Sequence, residues 1–135
     1  MDCIFCKIIA GDIPCHKVFE NEHVLAFLDI GPVSVGHTLF VPKKHAIDLA
    51  GGSVDEAVEL MKAIYSTAPA IMRAVGASGY NLGMNHGLSD GQDVFHTHLH
   101  LMPRVDGVAR TFVKMHPTQE ELADVSAKIR AELVA

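Results

Sequence analysis

The chain lacks an excess of positive charge, a long apolar run and a disulfide-rich cysteine pattern, and each absence removes a class of protein. Lysine and arginine number 11 against 16 acidic residues, for a formal net charge of −5. Gripping a polyphosphate backbone requires a basic face, so a nucleic-acid polymer is not the expected partner. A small anionic ligand stays open, because a few local donors bind one without a basic overall field. The longest apolar stretches are interrupted by Asp29, Gly36, His37 or Pro42, far short of the ~20 apolar residues of a membrane span. No membrane partner is therefore expected. Asp2 stands early and no basic region precedes an apolar block, so no secretory signal is expected and the cytoplasm is the expected location. Three cysteines, two of them Cys3 and Cys6, suit a reducing compartment and a metal pair better than a disulfide framework.

What is present fits one domain spanning 1–135, since 135 residues with 49% hydrophobic content can close a sizeable core. Residues 3–9 suggest a short helical turn stopped by Gly11. Strands are expected at 16–20, 24–29, 37–42, 80–85 and 95–102, separated by turn-forming residues such as Asn21 and Gly31-Pro32. Leu60, Ile64, Ala68, Ile71, Met72 and Val75 recur at helical spacing between Ser53 and Gly76. Ser53 with Glu56 reads as a capping box, and Pro69 predicts a kink or a split in this helix. Thr118 with Glu121 reads as a second capping box for a C-terminal helix over about 118–134, carrying the stripe Leu122, Val125, Ile129 and Leu133. The expected fold class is α+β: a five-stranded, mainly antiparallel sheet with one long central helix and a C-terminal helix.

Nine histidines are a surplus, and three of them alternate in His96-Thr97-His98-Leu99-His100. On a strand, His96, His98 and His100 share one face, while Thr97, Leu99 and Leu101 share the other and face the core. Three imidazoles on one face are costly to bury charged, so most must be neutral, hydrogen-bonded or metal-bound. Imidazole attacks phosphorus near neutral pH without first losing a proton from the attacking nitrogen, and a covalent intermediate splits one hard substitution into two easier ones. Its other nitrogen needs an acceptor, for which a backbone carbonyl serves.

The run from Asn85 to Arg104, Asn-His-Gly-Leu-Ser-Asp-Gly-Gln-Asp-Val-Phe-His-Thr-His-Leu-His-Leu-Met-Pro-Arg, resembles the signature of the histidine-triad (HIT) family. Cys3-Ile-Phe-Cys-Lys-Ile-Ile with Gly11-Asp-Ile-Pro14, Ala26-Phe-Leu-Asp29-Ile30 and Gly36-His-Thr-Leu-Phe-Val-Pro-Lys-Lys-His45 resemble its bacterial Hint-like branch, in family order over about 3–104. The resemblance implies nucleotidyl hydrolases and transferases acting at an α-phosphate. His98 matches the nucleophile that forms a nucleotidyl-imidazole, His100 a phosphate-contacting histidine, and Asn85 a polar residue of the phosphate site. Gly91, Gln92 and Asp93 match a loop offering donors near the phosphate or leaving group, where they would stabilise developing charge. Ser or Thr is usual at the position of Asp93 in eukaryotic relatives. A carboxylate there implies an altered leaving-group preference, unless Asp93 simply caps its own loop.

Asp29 alone reads as a turn residue before Gly31-Pro32; the resemblance makes it the acceptor of the ribose hydroxyls. Phe5, Ile8, Phe27, Ile30 and Leu39 alone read as core; the resemblance makes them walls of the base site, with Val94 beside them. A purine nucleotide or nucleotide conjugate is the implied ligand. Cys3 and Cys6 with His45 and His96 form a Cys₂His₂ set suited to closed tetrahedral zinc, used by some relatives, whereas close eukaryotic ones lack the cysteines and need no metal. No organic cofactor is implied. Cys15 reads as an ordinary thiol, His16, His23, His86 and His116 as solvated or locally bonded, and His37 as either a strand residue or a hydrogen-bonding neighbour of the site. Homodimerisation through the long helix and a sheet edge is the family expectation. Three functions stay open: phosphoramidase, dinucleoside-polyphosphate hydrolase, or nucleotide-sensing module.

Overall fold

A computed structural model describes residues 3–87 and 94–134. Helix α1 (Ile4–Ala10) is followed by strands β1 (Lys17–Glu20), β2 (Val24–Leu28) and β3 (Thr38–Pro42). A 3₁₀ turn (Leu49–Gly51) leads into α2 (Val54–Val75), then β4 (Gly79–Gly83), β5 (Leu99–Arg104) and α3 (Gln119–Leu133). The five strands lie in the order β1-β2-β3-β5-β4 and every pairing is antiparallel. This is the α+β architecture expected.

The sheet separates two apolar clusters. On one face Val24, Ala26, Leu28, Phe40 and Leu101 meet Leu60, Ile64 and Ile71 of α2 and Leu122 and Ile129 of α3. On the other, Leu25, Phe27, Leu39 and Val41 meet Cys3 and Phe5 at α1. Period-2 alternation along β2 and β3 sends successive side chains to opposite clusters, which is why both strands are buried throughout. The α1 side of the sheet is the thinner one, and the main cavity opens there.

Helix ends follow their chemistry. Gly11 and Gly76 terminate α1 and α2 with φ of 87° and 70°, a region glycine enters without Cβ strain. The capping box of Thr118 and Glu121 is complete. That of Ser53 and Glu56 is half formed: Ser53 Oγ accepts from the Glu56 N–H (3.2 Å), but the Glu56 carboxylate takes the Ser53 hydroxyl (3.1 Å) rather than its backbone N–H. Helix α2 is not split at Pro69. Pro69 and Tyr65 sit on the exposed side, Tyr65 being 87% exposed, so water can satisfy the carbonyl that proline leaves without a donor.

The fifth strand begins later than the pattern predicts, at Leu99 rather than residue 95. Its pairing with β3 runs Thr38↔Leu101, Leu39↔His100 and Phe40↔Leu99, and the ladder would next need an N–H from Pro42, which has none. The Thr97 N–H instead donates to Ala46 O (2.9 Å). Face alternation survives in this lead-in: Thr97 is buried, Leu99 and Leu101 join the helix-side core, and His96, His98 and His100 turn to the α1 side.

Candidate functional site

A cavity of about 880 Å³ opens on the α1 face. Phe5, Ile8, Phe27, Leu39 and Val94 form its apolar side, and Asp29, Ile30, Asn85, His98 and His100 also line it. Phe5, Phe27 and Leu39 are at once core and wall, because they are buried yet face the opening. The Phe5 ring meets Phe27 and His98 edge-on, with centroids 5.5 and 5.1 Å away. Ile30, by contrast, is 71% exposed at the rim. Gly91, Gln92 and Asp93 lie outside the described residues.

His98 sits 4% exposed beneath the cavity, and its Nδ1 lies 2.7 Å from the backbone carbonyl of His96. A carbonyl only accepts, so Nδ1 carries the proton and Nε2 keeps its lone pair. His100 is ordered from the other side. The Val33 N–H donates to His37 Nδ1 (3.1 Å), which places the proton of neutral His37 on Nε2. That N–H points at His100 Nδ1 (2.9 Å), leaving the His100 proton on Nε2. Burial pushes His37 down to about 4, against the pull of Asp29. His37 is therefore a neutral donor to His100, and Asp29 Oδ2 stands 3.7 Å from the same nitrogen, close enough to act through its charge but too far to accept a hydrogen bond. Asp29 Oδ1 accepts from the Gly31 N–H (2.9 Å), so the carboxylate serves its turn while facing the cavity.

Beside this lies a second group. One ligand atom from each of Cys3, Cys6, His45 and His96 falls within 4.8 Å of all the others. His96 Nδ1 is 3.4 Å from Cys3 Sγ, 3.6 Å from Cys6 Sγ and 3.2 Å from His45 Nδ1, and His45 Nδ1 is 3.3 Å from Cys6 Sγ. The edges of a zinc tetrahedron are about 3.4 Å between nitrogens and about 3.6 Å between nitrogen and sulfur, from bond lengths of about 2.05 and 2.3 Å. The spacing fits. His96 Nε2 donates to Pro42 O (2.8 Å), which leaves Nδ1 as a lone pair aimed at the group, the usual outer-shell arrangement of a metal-bound histidine. Burial lowers the His96 pKa and keeps it neutral. Desolvation and the neighbouring Cys3 raise the Cys6 thiol and favour its protonated form, so ionising it beside a second sulfur would need a bound cation.

Asp29, His37 and His100 also converge within 4.8 Å. Their proton order is wrong for a metal, because the Val33 N–H occupies Nδ1 of His37 and forces Nε2 to be a donor. His37 and His100 are joined by a hydrogen bond instead, with the Asp29 carboxylate beside them.

Several features were not legible in the motifs. His16 reaches Gln119 of α3 (2.7 Å), and both line the cavity together with Phe112 and Lys114. Residues 105–118 show no periodicity that would have placed them there. His23 lies 3.1 Å from its neighbour Glu22, a local contact of the kind expected, whereas His86 reaches Asp48 from a distant part of the chain (3.5 Å). Cys15 is a half-buried free thiol whose pKa burial raises.

The HIT domain family model matches residues 10–107. Protein hit of Bacillus subtilis is 42% identical over 144 aligned positions, covering 99% of this chain and 96% of the relative. Adenosine 5′-monophosphoramidase HNT1 of Saccharomyces cerevisiae is 37% identical over 133, covering 98% and 81%. Among solved structures, a zinc-bound histidine triad family protein from Mycobacterium smegmatis superposes with a TM-score of 0.90 at 34% identity, covering 99% of this chain and 94% of that one. On its sequence, its fold and the arrangement of its histidines alike, this chain belongs to the HIT family.

Proposed function

We propose that the protein is a nucleotidyl hydrolase that releases a purine nucleoside monophosphate from phosphoramidates or acyl-adenylates through a covalent intermediate on His98. The observation that carries this is the 2.7 Å bond from His98 Nδ1 to the His96 carbonyl, which leaves Nε2 as the attacking nitrogen in a nucleotide-sized cavity. In the first step the Nε2 lone pair forms a bond to the α-phosphorus while the bond to the leaving group breaks; a phosphoramidate nitrogen takes a proton from solvent water and leaves as the amine, and an acyl-adenylate leaves as its carboxylate without one. The positive charge growing on the ring is shared with the His96 carbonyl. In the second step a water oxygen attacks phosphorus, the phosphorus–Nε2 bond breaks, the proton of the attacking water passes to solvent, and the monophosphate departs with neutral His98 restored. His100, its proton on Nε2, donates to the phosphoryl oxygens, and Asn85 lines the same site; Gln92 and Asp93 are assigned to the leaving-group side. Asp29 accepts from the ribose, and the base lies against Phe5, Ile8, Phe27, Ile30 and Leu39, beside Val94. The relatives with adenosine 5′-monophosphoramidase activity support this substrate class.

Cys3, Cys6, His45 and His96 are proposed to hold one zinc, which supplies structural rigidity to the lead-in of β5. A homodimer is proposed through the exposed Val54, Val58, Met61 and Tyr65 of α2 and the free edge of β4. Among the described residues no helix is long and apolar enough to cross a membrane; a cytoplasmic location is part of the proposal.

The test is turnover of a fluorogenic adenosine phosphoramidate, with acid-quenched protein examined for a bound adenylyl group. Wild type is expected to turn over and to carry the group. His98→Ala is expected to lose at least about 10³-fold in kcat, the scale of a lost nucleophile, while still binding AMP. Equal turnover by both proteins defeats the mechanism. Binding without turnover by wild type would point to a nucleotide sensor, and faster cleavage of dinucleoside polyphosphates would move the substrate class.

A further inference from the structure

The rim of the cavity carries one cation from beyond the matched family domain, which ends at residue 107. Lys114 lines the cavity. Its Cδ lies 3.5 Å from the point where a Cβ on Gly31 would stand, and the same point is 3.9 Å from Asp29 Oδ1. The lysine stem and the carboxylate therefore both lie close to the same backbone position. The Lys114 backbone is held by its neighbours. Met115 N–H donates to Pro32 O (2.7 Å), and the Phe112 ring lies under the Arg104 guanidinium with 5.0 Å from Cζ to the centroid. Its ammonium has no carboxylate within the 4.0 Å of an ion pair among the described residues, Asp29 included. An acidic chain has thus placed a cation beside a carboxylate in its ligand cavity without closing the pair.

A ligand hydroxyl satisfies both partners at once, since it donates to a carboxylate and accepts from an ammonium, and in doing so it takes the place of a bridging water. We infer that Lys114 is a specificity-determining residue that recognises the substrate's ribose jointly with Asp29: the diol donates to Asp29, and Lys114 donates to a diol oxygen. This rests on the nucleotide reading of the cavity and extends it to a residue outside the HIT motifs. The segment 112–115, anchored at both ends, is then a substrate-contacting element rather than a connector.

The test compares AMP with 2′,3′-dideoxy-AMP by calorimetry on wild type, Lys114→Met and Lys114→Arg. Lys114→Met keeps the length of the stem and removes the charge at an exposed position, so folding is not at risk. It is expected to weaken AMP about tenfold, the scale of one charge-assisted hydrogen bond, and to leave the dideoxy nucleotide unchanged. Lys114→Arg is expected to retain AMP affinity. In turnover of the phosphoramidate, Lys114→Met should raise KM by a similar factor with kcat unchanged. Equal weakening of both nucleotides would show a general field acting on the phosphate and overturn the inference, as would no weakening at all. Failure of wild type to bind AMP would instead overturn the functional reading on which the inference stands.

Discussion

At the residue scale, Val33 donates its backbone N–H to His37 Nδ1, and that one bond orders the protons of two imidazoles down to His100. Stability should record it. Burial holds His37 at about 4, below the ~6.5 of an unfolded histidine. Between those values the unfolded chain binds the extra proton, so the contribution is whole above about pH 6.5 and is lost as pH falls toward 4. His96, also lowered by burial, acts in the same direction. Urea unfolding at pH 7 and at about 4.5 is expected to show this loss, with His37 accounting for up to about 3 kcal/mol of it. The groups that set His37 are Asp29, which favours its charged form, and His100, Arg104 and Lys114, which oppose it. If His37→Gln shows the same acid slope as wild type, His37 is not the source.

At the scale of elements, the turn entering β3 depends on Gly36. Its φ is 89°, and a Cβ there would stand 3.0 Å from Val75 Cγ1 and 3.2 Å from Pro103 Cγ. Gly36→Ala is expected to cost about 1–3 kcal/mol from backbone strain and crowding, read as a lower denaturation midpoint at unchanged slope. Thr118→Ala removes a complete capping box from α3 and is expected to cost about 1 kcal/mol in the same assay. Thr118 was visible in advance by its spacing to Glu121, whereas Gly36 stood out only as a break in an apolar stretch. The elements least well placed in advance were α2 and β5. Periodicity reports which side chains are apolar, whereas the continuity of α2 at Pro69 depends on which side meets water. The late start of β5 depends on a partner strand that ends in proline, a fact of pairing that no window along one segment contains.

At the scale of the whole molecule, the order of strands brings Cys3 and Cys6 from the N-terminus, His45 from the loop after β3 and His96 from the lead-in to β5 into one group. Metal analysis is expected to find about one zinc per chain, by the four-ligand count. Cys3→Ser is expected to lower occupancy, and chelation to lower the Tm of wild type but not of a Cys3→Ser, Cys6→Ser double variant. Full occupancy in that double variant would defeat the assignment. The cysteine pair alone would pass for packing; His45 and His96, each within a motif, are what announce this group. The rim residues His16, Phe112, Lys114 and Gln119 were silent for the opposite reason. They are ordinary residues in irregular segments, brought to the cavity only when α3 docks and the chain before it crosses the sheet.

His96 gives its ring to one centre and its carbonyl to the other. The two gifts differ in how they can be lost. The ring can be exchanged by a single substitution, while the carbonyl belongs to the backbone and is supplied by any residue that keeps the same path. A descendant of this chain could therefore shed its thiols, and with them the proposed zinc, and still hold His98 with its proton on Nδ1. The orientation of His98 is carried by the main chain, and the Cys₂His₂ group is the part that substitution can remove without disturbing it.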